Sequence, residues 1–113
     1  MVYKVAVAST DGKFVNEHFG RATQFLIFEV DQGQFRFREL VKTGPYCNQG
    51  EHDDHKLRTV TEILQGCRAV LVSQIGNAAA EVLKEQGIVP FEIRDFIEDA
   101  IPKLITYYDK FQE

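Results

Sequence analysis

The sequence predicts an α/β fold, a mixed five-stranded sheet carrying three helices. Three observations predict it. Apolar runs of strand length recur along the 113 residues. The first three are separated by turns and a short loop, without helical periodicity between them. After a polar loop, strands then alternate with segments whose apolar residues return every three or four positions.

Val2 to Ala8 is a valine-rich run closed by Ser9-Thr10-Asp11-Gly12, a strand ending in a turn, because Asp-Gly readily takes positive φ angles. Phe14 and Val15 suit a short return strand. Gln24 to Val30 is the second main strand, with Phe25, Leu26, Ile27 and Phe28 at its centre. Asp31-Gln32-Gly33-Gln34 turns the chain back into Phe35 to Val41, where Phe35 and Phe37 take one face and Arg36 and Arg38 the other. Three strands so joined form an antiparallel meander.

Gly44 to Asp54 has two glycines, a proline and no apolar rhythm, and reads as a long loop. Asp53 or Asp54 is suited to cap the helix that follows, which carries Leu57, Val60, Thr61 and Leu64 and ends by Gly66. Ala69 to Ser73 is a buried strand. Gly76-Asn77 opens a second helix through Ala79, Val82 and Leu83, closed by Gly87, and Ile88 to Ile93 is a further strand. Strand, helix and strand in so few residues predict a parallel right-handed crossover. The last helix places Ile97, Ile101, Leu104, Tyr108 and Phe111 on one stripe; Pro102 predicts a kink there or a start near Asp99. This element order is that of ribonuclease-H-like folds, and residues 1–113 read as one domain.

Composition excludes several functions. A net charge of −4 and a pI near 5.4 argue against gripping a nucleic-acid backbone. Two distant cysteines, Cys47 and Cys67, make no disulfide framework and suit a reducing cytoplasm. No run approaches the ~20 apolar residues of a membrane span, and the N-terminal run is too short, and interrupted by Lys4, to be a secretory signal.

The chemistry-bearing stretch is Asn16 to Val30. It sets His18 against Phe19 and Gly20 just before a buried strand. An imidazole nitrogen accepts a metal or a proton, and the glycine lets a bulky partner approach. Cys47, His52 and His55 are the other candidate metal ligands, spaced C-x4-H-x2-H; thiolate and imidazole suit zinc or iron–sulfur chemistry. A solvated polar loop with an incidental cysteine explains the same spacing, and a hydrogen-bonded turn histidine explains His18. Cys67 follows a helix end and precedes a buried strand, where cysteine acts as a small hydrophobe. The Ser73–Asn77 turn enters a helix and offers N–H groups to an anion, but its one glycine is far from a dinucleotide fingerprint. A two-metal nuclease needs converging carboxylates that the buried strands lack. Neither Ser9 nor Ser73 sits in a GxSxG elbow.

Taken together, VAVASTDG, VNEHFGRATQFLIFEVD, the Tyr46-Cys47 loop and CRAVLVSQIGNAAAEVLKEQGI resemble the dinitrogenase iron–molybdenum cofactor biosynthesis family, the NifX-like proteins. The chain is especially similar to the C-terminal domain of the NifB cofactor-synthesis enzyme. His18-Phe19-Gly20-Arg21-Ala22-Thr23-Gln24-Phe25 carries the most specific part, and Ile75 to Ala79 supports it. The resemblance implies a ribonuclease-H-like fold that binds an iron–sulfur cluster precursor as cargo, storing or transferring it without making it. It implies His18 as first ligand, beside Phe19, Gly20 and Arg21, and Cys47 as second, with His52 and His55 weaker candidates. It implies a cofactor-synthesis enzyme as donor and a scaffold or apo-nitrogenase as acceptor, with no nucleic acid and no membrane. The chain lacks the CxxxCxxC by which the longer enzyme holds its catalytic cluster, so no radical chemistry and no enzyme activity is expected. The alternatives are a mononuclear zinc protein using Cys47, His52 and His55, with or without His18, and a metal-free interaction or regulatory module.

Overall fold

The structure, a computed structural model, describes residues 2–43 and 54–111, the side chains of 54–56 excepted. Five strands, β1 (Val2–Ala8), β2 (Gln24–Asp31), β3 (Gln34–Lys42), β4 (Cys67–Val72) and β5 (Val89–Glu92), form one sheet in the order β3-β2-β1-β4-β5. Pairs β1–β2 and β2–β3 are antiparallel, and β1–β4 and β4–β5 are parallel. The meander and the crossover half are both present. Three helices, α1 (Asp54–Ile63), α2 (Asn77–Glu85) and α3 (Ile97–Phe111), pack on this sheet.

The central strands are apolar throughout because both of their faces are covered. Ala6, Ala8, Val70 and Val72 face a core closed by Leu57, Val60 and Leu64 from α1 and its end, and by Ala79 and Leu83 from α2. Val5, Val7, Ala69 and Leu71 face a second core closed by Ile97, Ile101, Leu104, Ile105 and Tyr108 of α3. Two helices thus cover one face and one helix the other. Gln32 and Gly33, with φ 54° and 78°, make the tight turn between β2 and β3, both in the left-handed region that such hairpins demand.

Strand directions decide where function can sit. β1, β3, β4 and β5 all run the same way and β2 runs against them. The carboxyl ends of four strands therefore share one edge, and α1, α2 and α3 all begin there.

Three local expectations change. Phe14 and Val15 form no return strand; Phe14 makes a single bridge with Phe96, and Val15 donates its N–H to Asp95 O at 2.9 Å. They tie the first loop to the start of α3. Along β3 the register shifts opposite Ile27 and Phe28, so Arg38 is an extra residue in the ladder. Phe37 and Leu40 are left 52% and 44% exposed. Finally, α3 starts at Ile97 and runs through Pro102, while Phe111, expected on its buried stripe, is 66% exposed.

Candidate functional site

His18 lies in the loop that leaves β1. That loop first makes a polar turn. Ser9, fully buried, donates its hydroxyl to Asp11 Oδ1 at 3.1 Å and accepts from Gly12 N at 3.0 Å. Asp11 Oδ1 also accepts from Lys13 N and Phe14 N at 2.9 and 3.1 Å. These N–H groups, Lys13 first and Phe14 next, hold the Asp11 carboxyl below the usual carboxylate range, with Ser9 adding to the effect. Thr10 and Asn16 exchange two hydrogen bonds of 3.0 and 2.9 Å across the loop. Gln24 Nε2 donates to Ser9 O at 2.9 Å and ties the loop to β2.

The second half of the loop reads as alternation. Val15 and Phe19 are buried, with Asn16 and His18 exposed between them. Phe19 packs into the α1–α2 core, its ring 5.8 Å from that of Phe25. The backbone beside His18 is held from both ends of the bridge it makes with Gln74: Ser73 N donates to Glu17 O at 3.0 Å, and Phe19 N donates to Gln74 O at 2.9 Å. Residues Phe19–Arg21 then close a 3-10 turn through Arg21 N to His18 O at 3.0 Å. An exposed imidazole thus stands on a backbone fixed by two long-range hydrogen bonds and by the buried ring of Phe19, which lowers the ordering cost of binding through it.

The position is meaningful in the sheet. From β1 the chain turns towards β2, whereas from β4 it crosses to β5 on the opposite side. Connections diverge between β1 and β4, the kind of crevice where open α/β sheets bind ligands. The Ser73–Gly76 turn follows β4 there and enters α2, whose N-cap, Gly76, supplies no side-chain cap. Ile75 N donates to Glu92 Oε2 at 2.9 Å. The positive end of α2, already met by the Glu92 carboxylate, and the exposed, cationic Arg21 lie on the same edge as His18.

Of the other sequence-predicted ligands, Cys47 and His52 lie outside the described residues. His55 belongs to the first turn of α1, which starts at this same edge. Thr43, four residues before Cys47, donates its N–H to Thr23 O at 2.8 Å, just past the Phe19–Arg21 turn. Among the described residues no three His, Cys, Asp or Glu side chains converge as metal ligands. Cys67 is buried and its thiol is pushed up to about 11, with burial the main cause. A cavity of about 490 Å³ lies on the α3 side, lined by Gly12, Lys13, Phe28, Phe35, Phe96, Ile97 and Glu98, and holds no soft donor. Gln74, which fixes the His18 turn, was not legible as such: a parallel bridge over 56 residues leaves no local pattern. No described helix is long and apolar enough to cross a membrane.

Residues 1–107 match the family described as dinitrogenase iron-molybdenum cofactor. The FeMo cofactor biosynthesis protein NifB of Frankia alni is 40% identical over 91% of this chain, which corresponds to 21% of that protein. Protein NifX of Azotobacter vinelandii is 32% identical over 81% of this chain and 57% of its own length. The chain therefore spans about a fifth of the NifB relative it matches. Among solved structures, PH0822 superposes with a TM-score of 0.68 at 22% identity, covering 92% of this chain and 90% of that one. MJ0327 of Methanocaldococcus jannaschii does so at 0.61 and 16%, covering 95% and 91%. These two likenesses establish the fold. With the sequence match running from the first strand into the last helix, the chain belongs to the dinitrogenase iron–molybdenum cofactor family.

Proposed function

We propose that this chain binds, holds and hands over an iron–sulfur cluster precursor in the synthesis of an iron–molybdenum-type cofactor, without catalysing a step itself. One observation carries the reading: His18 is exposed on a turn held at the crevice between β1 and β4. An iron–sulfur cargo brings its own sulfide and iron, so a carrier needs few ligands, and imidazole suits iron. His18 is the first ligand, with Phe19 anchoring it, Gly20 leaving room and Arg21 offsetting the charge of an anionic cargo. Cys47 is the second ligand and His52 and His55 are reserve ones. A cofactor-synthesis enzyme is the donor, and a scaffold or apo-nitrogenase the acceptor, in the cytoplasm. The order β3-β2-β1-β4-β5, with β2 alone reversed, supports the ribonuclease-H-like assignment.

Anaerobic titration with a cluster donor, followed by iron, sulfide and zinc analysis and visible absorption, tests this reading. Retained iron and sulfide are expected, with retention lowered in His18→Ala and Cys47→Ala. Stoichiometric zinc without sulfide, or no metal, contradicts it.

A further inference from the structure

We infer that the free edge of β3 pairs with β3 of a second copy of this chain, joining two sheets into one of ten strands. This surface is separate from the His18 edge and does not depend on the cargo. Among the described residues β3 is hydrogen-bonded in the sheet only to β2, so its outer edge presents unpaired N–H and C=O groups. The two-residue hairpin turn makes Asp31 and Gln34 a hydrogen-bonded pair. By alternation Gln34 and Arg36 then bond inward, while Phe35 and Phe37 present their backbone groups outward. The extra residue, Arg38, resets this alternation: Glu39 and Val41 bond inward and Leu40 and Lys42 face out.

A two-fold interface needs a strand complementary to itself. One antiparallel register satisfies the outward groups, with Phe37 opposite Leu40 of the second copy and Phe35 opposite its Lys42. Its axis passes between Arg38 and Glu39, so each Arg38 meets a Glu39. The charges favour this. Arg36 and Arg38 share the single carboxylate of Glu29, each at 3.5 Å, and Glu39 makes no ion pair among the described residues. Phe37 and Leu40 lie on the face that α3 leaves bare over β3, and the same register sets each against the other. The register shift thus leaves an edge whose apolar and charged residues match a copy of themselves.

Sedimentation equilibrium of the full chain over a concentration series tests the pairing. A reversible dimer is expected. R38E places two carboxylates in opposition at each contact and E39R two guanidinium groups, so each weakens the dimer by about tenfold or more. R38E/E39R restores opposite charges and brings the affinity back to within about threefold of the parent. Circular dichroism verifies that each variant is folded. A monomer up to about 1 mM, a dimer that neither single substitution weakens, or a double variant no better than the single ones overturns the proposal.

Discussion

The His18 turn and the cavity beside Phe96 show two ways in which one sheet prepares a surface. The turn offers an exposed donor on a fixed backbone. The backbone on either side of its exposed imidazole is held by Ser73 and Gln74, and the buried ring of Phe19 anchors it. The cavity, on the sheet face covered by α3, offers about 490 Å³ and no soft donor. Size alone would send a search for function to the cavity. Ligand chemistry and the divergence of strand connections send it to the turn.

If the turn depends on its anchor, Phe19→Ala should have the largest effect on stability. The side chain is 2% exposed in a closed core, and its loss should cost about 3–5 kcal/mol in denaturant unfolding. Phe96→Ala, at the cavity rim and 55% exposed, should cost under about 1 kcal/mol. Gly33→Ala probes a third region, the β2–β3 hairpin. At φ 78° a side chain is strained even in open space, and about 1 kcal/mol should be lost.

Acid should act on the loop before the turn. The Asp11 carboxyl titrates lower in the folded chain than in the unfolded one, because it accepts the N–H groups of Lys13 and Phe14. Its stabilisation is therefore present above the unfolded pKa, about 3.9, and is lost as pH falls through the lower folded value. Thermal unfolding of wild type and Asp11→Asn should converge on acidification through that window. A difference that does not narrow there would remove Asp11 from this role. The smallest effect concerns Cys67. In a Cys47→Ala background its thiol, at about 11, should remain almost unreactive towards an alkylating reagent at pH 8 until the protein unfolds.

The sequence exposed what is local and hid what is paired at a distance. β1, β2 and β4 were legible because apolar runs of strand length have few other uses. Leu57, Val60, Thr61 and Leu64 were legible as a buried helical stripe, and all four are buried. The register shift at Arg38 was not, since Phe35-Arg36-Phe37-Arg38 alternates perfectly up to the extra residue. Nor was the bridge of Phe14 with Phe96, which apolar alternation at Phe14-Val15 cannot distinguish from a local return strand. α3 tolerates Pro102 because packing of Ile97, Ile101 and Leu104 overrides a local break. At the site, His18 was identifiable by its neighbours in sequence, whereas its fixation by Gln74 required the fold.

The most direct test compares the two regions in one assay. Wild type, His18→Ala and Phe96→Ala are loaded anaerobically with the same cluster donor, and retained iron and sulfide are measured beside thermal unfolding. The account predicts that His18→Ala keeps its fold but loses most of the retained cluster, while Phe96→Ala retains it as wild type does. Loss of the cluster in Phe96→Ala, with full retention in His18→Ala, would contradict it.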